Sequence, residues 1–301
     1  MSPSRSASLR ASAAPIPSAG LVPSRRLTEL PTYVFAWLDE LKARARARGA
    51  DLIDLGMGNP DQPTPQPIVD AIGRAYADPS THGYPPFRGT KPFLESVARY
   101  MKGRFGVDVD PASEALCLSG AKEGIAHATM AFADETTVTL VPDIYYPVHG
   151  RATGLVGGQS YFMPLRSERG FVPDLRDIPS DVLRAARLLV LNYPHNPTGA
   201  VAPLAFYREV AERCRSHDVL LASDEAYSEL WFDGGPPASA LQVGDLANVL
   251  AINTLSKRSS MTGYRSGFAA GDPDLIAALK ALRPSVGVTP QEFVQRASVA
   301  A

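Results

Sequence analysis

Two basic residues near the end of the chain, Lys257 and Arg265, are the clearest candidates for chemistry in this sequence. Upstream, Asn196 lies in a Pro/Gly turn and Asp224 follows an apolar segment. A lysine amine can form a Schiff base with an aldehyde, a carboxylate can pair with a ring nitrogen, and an arginine can bind a phosphate. Because a pyridoxal phosphate site needs these groups together, their order and spacing predict such a site.

Lys257 is the predicted covalent anchor for the cofactor aldehyde. The apolar residues 249–252 would bury it, and burial disfavours the ammonium form, which is not nucleophilic. Asp224 would pair with the pyridine nitrogen and keep the ring protonated, while Asn196 and Tyr227 would hydrogen-bond its phenolic oxygen. Taken singly, these residues also fit a solvated lysine, a helix N-cap aspartate, a plain Asn-Pro turn and a core tyrosine.

The phosphate group would bind at residues 119–124 (SGAKEG), which follow a predicted strand and open a predicted helix. Such a segment offers backbone N–H groups and the positive end of a helix dipole to an anion. Arg265 would add a forked contact, and Thr254 and Ser256 would add hydroxyl hydrogen bonds. Alone, the segment is a weak motif, and Arg265 alone also fits a surface ion pair.

Two adjacent tyrosines, Tyr145 and Tyr146, follow another predicted strand in the segment PDIYYP. An aromatic side chain at this position can stack on the cofactor ring. Core packing explains either tyrosine equally well, so the residues alone leave the choice open.

The 301 residues are 45% apolar, which is enough for a sizeable core, and carry a formal net charge of −1. This balance gives no electrostatic support to nucleic-acid or membrane-surface binding, and no apolar run approaches the roughly 18 residues of a membrane span. Cys117 and Cys214 lack a CxxC pattern, which favours reduced thiols and a cytoplasmic location. The five histidines lack metal-ligand spacing, so no metal site is predicted.

Short apolar strands alternate with helices through most of the chain. Strands are predicted at 115–118, 137–141, 188–191, 219–222 and 249–252, and helices at 123–132 and 204–216. This alternation predicts an α/β fold with a mainly parallel sheet buried on both faces. Four candidate site residues follow predicted strands: Gly120, Asn196, Asp224 and Lys257. Since ligands in open α/β sheets bind beyond the carboxyl ends of the strands, we expect these residues at one sheet edge.

Residues 1–55 lack the alternation of strands and helices that is predicted for the rest of the chain. Residues 34–41 carry an apolar face that predicts a helix with Thr32 as its N-cap, and 52–55 predict a short strand. Residues 1–26 are rich in Ser, Ala and Pro and contain no acidic residue. This composition cannot bury a core and favours a disordered tail, with a transit peptide as the alternative.

Seven motifs follow one another along the chain: GMGNPD (56–61), THGYPPFRG (81–89), SGAKEG (119–124), YPVH (146–149), HNPTG (195–199), SDEAY (223–227) and TLSKRSSMTGYRSGF (254–268). Together they resemble the class I/II aminotransferases of pyridoxal-enzyme fold type I, with the greatest similarity to the alanine/glutamate–pyruvate and diaminopimelate branches. The resemblance covers roughly residues 30–301. It implies a three-layer fold with a mainly parallel central sheet and an additional small domain. It also implies pyridoxal 5′-phosphate as cofactor and an amino acid and a 2-oxo acid as substrates.

The resemblance assigns a role to each matching residue. Lys257 would form the internal aldimine and move the α-proton of the substrate. Asp224 would pair with the ring nitrogen, while Asn196 and Tyr227 would hold the phenolic oxygen. The residues implied for the phosphate are Gly120, Ala121, Lys122, Thr254, Ser256 and Arg265.

The same resemblance extends to the ring face, the substrate and a second subunit. Tyr146 matches the ring-stacking position, with Tyr145 in reserve. Gly58 and Asn196 would contact the substrate. Tyr84 would reach the phosphate of a neighbouring subunit, which implies a homodimer with shared sites.

The chain departs from the family pattern at its C-terminal end. Family members place a carboxylate-binding arginine in the C-terminal part of the small domain, and this sequence ends at Ala301, near where that segment would begin. We therefore expect a truncated chain with a complete cofactor site and an incomplete substrate site. The expected parts are a disordered tail (1–27), an N-terminal arm with part of the small domain (28–62), a large cofactor-binding domain (63–290) and the start of a missing C-terminal small domain (291–301).

The function predicted on these grounds is amino-group transfer. Two alternatives remain open at this point: a carbon–sulfur β-lyase on the same fold, and a catalytically inert truncated fragment that binds the cofactor or a partner. A nicotinamide-binding domain is excluded because no GxGxxG follows a strand. Alanine, glutamate, aspartate and diaminopimelate all remain open as amino donors.

Overall fold

The computed structural model describes residues 20, 22–31, 33–287 and 289–301. Thr32, the predicted N-cap, lies outside the described residues, as do residues 1–19 and 21 of the predicted tail. The chain divides into two compact units, residues 1–58 and 59–301, which are described separately.

The first unit contains two helices in its described part, α1 (Arg25–Thr28) and α2 (Val34–Ala47). α2 confirms the helix predicted from the apolar spacing. The predicted strand at 52–55 is wrong, because the structure has no strand there and leaves Ile53 82% and Leu55 91% exposed. The described part of this unit offers no second strand for pairing, and a strand needs a partner to satisfy its backbone groups.

Within the described part of the second unit, seven strands form one sheet. They are β1 (Ala115–Leu118), β2 (Val138–Pro142), β3 (Gln159–Met163), β4 (Ala186–Asn192), β5 (Leu220–Asp224), β6 (Val249–Thr254) and β7 (Gly267–Gly271). Their spatial order is β1-β7-β6-β5-β4-β2-β3. Among these strands, β7 runs opposite to the other six, so the predicted mainly parallel sheet is confirmed.

The helices in the described part of the second unit are α3 (Gln66–Tyr76), α4 (Lys91–Phe105), α5 (Ala121–Phe132), α6 (Val148–Val156), α7 (Ser180–Ala185), α8 (Leu204–Arg215), α9 (Leu255–Arg258), α10 (Pro273–Val286) and α11 (Glu292–Val299). Helices cover both faces of the sheet, with α4 and α8 on one face and α5 and α10 on the other. Along β6, Val249 and Ala251 pack in the core shared with α4 and α8, whereas Leu250 and Ile252 pack in the core shared with α5 and α10. This alternation produces the three layers expected of the fold. No helix in the described ranges has both the length and the apolar composition needed to cross a membrane.

All five predicted strands and both predicted helices of the second unit are present. The sequence pattern did not reveal β3 or β7. β7 has the sequence GFAAG, which carries little strand propensity. Its two glycines are explained by close packing, because a Cβ on Gly267 or Gly271 would collide with a backbone carbonyl oxygen of β6.

The direction of the strands places the candidate residues at one edge. β1 and β6 are both antiparallel to β7, and β4, β5 and β6 are mutually parallel, so these four strands end on the same side. Asp224 is the last residue of β5, and Gly120, Asn196 and Lys257 follow β1, β4 and β6. The carboxyl edge of the sheet therefore carries all four.

The last helix, α11, packs within the second unit. Ala297 joins Leu255 and Met261 in a small buried cluster, and Gln295 Oε1 accepts a hydrogen bond from Thr90 N at 2.7 Å. The predicted boundaries of the large and small domains stay predictions.

Candidate active site

Lys257 lies in α9, the short helix that follows β6. Thr254 begins this helix, and its Oγ1 accepts a hydrogen bond from Ser256 N at 3.2 Å. Lys257 is partly buried, and burial together with the guanidinium of Arg265 lowers the pKa of its amine. The amine therefore gives up its proton more readily than an exposed lysine, as a nucleophilic amine must.

Asp224 is buried at the end of β5. Its Oδ2 lies 3.0 Å from His149 Nε2, and its Oδ1 accepts a hydrogen bond from Ala226 N at 3.2 Å. His149 belongs to α6 and is itself buried. Because a buried carboxylate is costly without such partners, these two contacts fix the carboxylate at the sheet edge.

Asn192 links this carboxylate segment to the neighbouring turn. Its Nδ2 donates to the carbonyl oxygen of Asp224 at 2.9 Å, and its Oδ1 accepts from Asn196 N at 2.9 Å. Asn196 Nδ2 in turn donates to the Tyr227 hydroxyl at 3.1 Å. Burial, with a further effect of the Asp224 charge, raises the pKa of Tyr227, so the phenol stays protonated and can donate.

The side chain of His195 stabilises the same turn through both of its ring nitrogens. Its Nε2 lies 3.0 Å from the carbonyl oxygen of Ile144, and its Nδ1 lies 2.8 Å from Thr198 Oγ1. Burial lowers the pKa of His195, which favours the neutral ring. These contacts make His195 a structural residue that ties the Asn196 turn to the segment before Tyr145.

Gly120 and Arg265 meet at the start of α5. Gly120 is the N-cap residue with φ of 92°, and a Cβ there would lie 2.7 Å from Arg265 Nη2. Arg265 Nη2 donates to the carbonyl oxygen of Ser119 at 3.0 Å, and Nη1 donates to that of Thr262 at 3.0 Å. A helix N-terminus and a guanidinium group thus lie side by side, an arrangement suited to an anion.

Two hydroxyl residues lie on the adjoining turn. Thr254 Oγ1 is 2.9 Å from Ser256 Oγ and 3.0 Å from the carbonyl oxygen of Ser266. The strand that follows Ser266 lies against the start of α5, since a Cβ on Gly267 would come within 3.1 Å of the Gly120 Cα. The hydroxyl turn and the α5 terminus therefore belong to one cluster.

The two tyrosines of the 145–146 pair lie in different surroundings. Tyr145 stacks on Phe162 of β3, with ring centroids 5.4 Å apart and 22° between the planes. Tyr146 faces His149 edge-on at 5.8 Å, and Lys122 Nζ lies 5.7 Å from the centre of its ring. Tyr146 is therefore the tyrosine that borders the Asp224 and α5 residues.

Two predicted site residues are not joined to this cluster by the structure. Tyr84 is 98% exposed, so its side chain is not packed against the described part of its own chain. Gly58 belongs to the first compact unit, and its substrate contact stays a prediction.

His149 and Asn192 are the site residues that sequence reasoning missed. His149 ends the YPVH motif and lies 75 positions from its partner Asp224, so no local spacing pairs them. Asn192 is the last residue of β4, and its position at a strand end was the available signal. Their contacts with Asp224 became visible only in the folded chain.

The residues present fit pyridoxal phosphate part by part. An amine of lowered pKa suits the aldehyde, and a buried carboxylate suits the protonated ring nitrogen. The Asn196–Tyr227 pair suits the phenolic oxygen, and the space kept open at Gly120 beside Arg265 suits the phosphate.

Comparison with known proteins gives a consistent result. Residues 50–301 match the family described as aminotransferase class I and II. The LL-diaminopimelate aminotransferase of Moorella thermoacetica is 45% identical over 279 residues, which cover 92% of this chain and 72% of that protein. The LL-diaminopimelate aminotransferase of Syntrophobacter fumaroxidans is 44% identical over 281 residues, with 93% and 72% covered. The substrate-bound structure of BacF from Bacillus subtilis has a TM-score of 0.87 at 34% identity and covers 93% of this chain and 71% of that one.

The fold is that of the pyridoxal-phosphate-dependent transferases of fold type I. The chain belongs to the class I and II aminotransferases. It is a pyridoxal-phosphate-dependent enzyme that exchanges an amino group between an amino acid and a 2-oxo acid, which confirms the cofactor and the reaction class predicted from the sequence.

Replacing Asp224 with alanine is expected to reduce turnover much more than cofactor binding. If Asp224 pairs with the ring nitrogen, as the sequence predicts, its loss changes the electronic state of the ring and leaves the phosphate end to hold the cofactor. We expect kcat to fall by about 100-fold or more, and the dissociation constant of pyridoxal phosphate to rise by less than about tenfold. Steady-state kinetics and absorbance titration measure the two quantities.

Asp233→Ala is the matched control, because Asp233 lies on an exposed segment of the same loop region. It is expected to leave both quantities unchanged. If Asp224→Ala lowers turnover and cofactor affinity by the same factor, Asp224 is a structural residue and not the partner of the ring nitrogen.

Proposed function

We propose that this aminotransferase uses LL-diaminopimelate as amino donor and a 2-oxo acid as acceptor, with Lys257 and Asp224 as its principal catalytic residues. The observation that carries the site assignment is the convergence of four strand ends on one sheet edge, with Asp224 held by His149 there. The choice of donor is supported by relatives named LL-diaminopimelate aminotransferase that are 45% and 44% identical to this chain.

Pyridoxal phosphate, when bound, carries the amino group and withdraws electrons from the substrate α-carbon. Lys257 Nζ would hold the cofactor and, once released, would move the proton that leaves the α-carbon. Its lowered pKa suits this task, because a base must be unprotonated before it accepts a proton.

Asp224 would pair with the ring nitrogen of the cofactor. Its contacts with His149 and Ala226 hold the carboxylate in place at the sheet edge. Asn196 donates to the Tyr227 hydroxyl, so the phenol proton stays available for another acceptor. That acceptor would be the phenolic oxygen of the cofactor.

Gly120, Ala121 and Lys122 would supply backbone N–H groups at the start of α5 to the phosphate. Thr254, Ser256 and Arg265 would complete the binding site with two hydroxyls and a guanidinium. Tyr146 would stack on the ring, supported by its position beside His149.

We further propose a homodimer in which Tyr84 serves the neighbouring subunit. Its 98% exposure supports this, since a large aromatic side chain left in solvent is suited to contact another chain. Gly58 would contribute to substrate binding. The cytoplasmic location is proposed on the two buried, unpaired cysteines, Cys117 and Cys214.

The proposed donor is tested with a panel of amino acids. The purified chain with pyridoxal phosphate is incubated with 2-oxoglutarate and LL-diaminopimelate, L-alanine or L-aspartate, and glutamate is measured. We expect kcat/KM for LL-diaminopimelate to exceed that of the other donors by at least about tenfold, because the second amino acid group adds contacts. Lys257→Ala is the control and is expected to form no glutamate.

Two outcomes contradict this proposal. A preference for alanine or aspartate removes LL-diaminopimelate as the donor but keeps the reaction. Release of pyruvate and ammonia from a cysteine conjugate, without glutamate formation, identifies a β-lyase instead.

The role of Tyr84 is tested by mixing two inactive subunits. Tyr84→Ala and Lys257→Ala chains carrying different tags are co-expressed, and the heterodimer is purified. If Tyr84 acts on the neighbouring subunit, one of the two sites contains both residues, and the heterodimer regains about half of the parent activity.

If Tyr84 acts within its own chain, neither site is complete and activity stays at the level of the single variants. Light scattering gives the molar mass of the parent in the same experiment. A monomer that is fully active would contradict the dimer outright.

A further inference from the structure

Arg283 of α10 is a fully buried arginine, with 0% of its surface exposed. A buried guanidinium is costly unless charged or hydrogen-bonding groups surround it. Its hydrogen bonds and its ion pair are with residues other than the candidate catalytic residues described above, so its retention in the core needs another explanation.

The contacts of Arg283 reach two separate segments. Nη1 donates to the carbonyl oxygen of Phe87 at 3.0 Å and lies 3.4 Å from Thr289 Oγ1, which itself donates to Phe87 O at 3.1 Å. Nη2 lies 3.8 Å from Glu123 Oε2. Nε and Nη2 have no hydrogen-bond partner among the described residues, so the charge of Glu123 is what compensates that side of the group.

Glu123 is the third residue of α5 and connects Arg283 to the phosphate end of the site. Its Oε2 accepts a hydrogen bond from Ser119 N, directly before Gly120. Glu123 therefore fixes the turn whose backbone faces the proposed phosphate position. This contact resembles the capping of a helix start by an acidic residue in its first turn.

A histidine stands on the other side of this carboxylate. His127 Nδ1 lies 3.7 Å from Glu123 Oε1. Burial lowers the pKa of His127; the Glu123 charge opposes this shift and the Arg283 charge adds to it, and the net direction is downward. The neutral ring does not compete with Arg283 for the carboxylate at neutral pH. Arg283 is therefore the cation that pairs with Glu123.

The other segment, 84–89, begins with Tyr84. It is fixed to β1, because Cys117 N donates to the carbonyl oxygen of Arg88 at 2.8 Å and a Cβ on Gly89 would come within 2.6 Å of Cys117 Cβ. Arg283 holds this segment by the Phe87 carbonyl. One side chain thus contacts the supports of both the Gly120 turn and the Tyr84 segment.

We propose that Arg283 is a positioning residue for phosphate recognition: through Glu123 it holds the Ser119–Gly120 turn, and through Phe87 it holds the segment that presents Tyr84. This inference rests on the proposed phosphate site. It assigns no catalytic step to Arg283. Its effect is confined to the phosphate end of the cofactor.

The test compares pyridoxal phosphate with pyridoxal, which lacks the phosphate. Dissociation constants of both are measured by absorbance titration for the parent chain, Arg283→Met and Glu123→Ala. We expect each variant to lower the preference for pyridoxal phosphate over pyridoxal by roughly tenfold, the effect of losing one charge-assisted contact. Affinity for pyridoxal itself is expected to stay within about twofold.

A double variant separates positioning from folding. Arg283→Met leaves the partly buried Glu123 without its cation, which lowers stability, and Glu123→Gln removes that unpaired charge. The combination E123Q/R283M is expected to recover the melting temperature and still show the lowered preference, because the turn is no longer tied to α10. Arg184→Met, at an exposed arginine of α7, is the matched control and is expected to behave as the parent.

Other results would contradict either the role of Arg283 or the phosphate site itself. If Arg283→Met keeps the preference of the parent, or if the double variant recovers the preference along with its melting temperature, Arg283 is only a structural residue and the inference is overturned. If the parent itself does not distinguish pyridoxal phosphate from pyridoxal, the proposed phosphate site fails instead.

Discussion

The contact between the Asp224 carboxylate and His149 Nε2, at 3.0 Å, is the interaction on which the rest of the active site depends. A carboxylate buried at the end of a strand is stable in its charged form only when donors surround it. His149 and the backbone of Ala226 provide them. Asn192 then ties the same strand end to Asn196, so the carboxylate and the turn beside it form one hydrogen-bonded unit.

The topology of the sheet brings the other site residues next to this hydrogen-bonded group. Strands β1, β4, β5 and β6 end on one side, so turns that are far apart in sequence bring Lys257, Asp224 and the start of α5 to the same edge. At the start of α5, the partly buried Glu123 lies between the buried Arg283 and the backbone of Ser119. At both places a charged group has a partner on a different secondary-structure element.

Much of this could be read from the sequence, and the remainder could not for physical reasons. Strands rich in branched apolar residues were predictable because both faces of the sheet are buried, whereas β7, with its glycines, was not. The 52–55 segment has a strand-like sequence but no partner to pair with in the described part of its unit. Contacts such as His149 to Asp224 join residues 75 positions apart and depend on packing that no local pattern encodes.

The most direct measurement is chemical trapping of the cofactor on the protein. Reduction of the holoenzyme with borohydride fixes the bound cofactor to the amine that holds it, and peptide mass mapping identifies that amine. We expect the pyridoxyl group on Lys257, whose amine has a lowered pKa from burial beside Arg265. Recovery of the label on Lys122 or Lys280, with Lys257 unmodified, would contradict the assignment of the site.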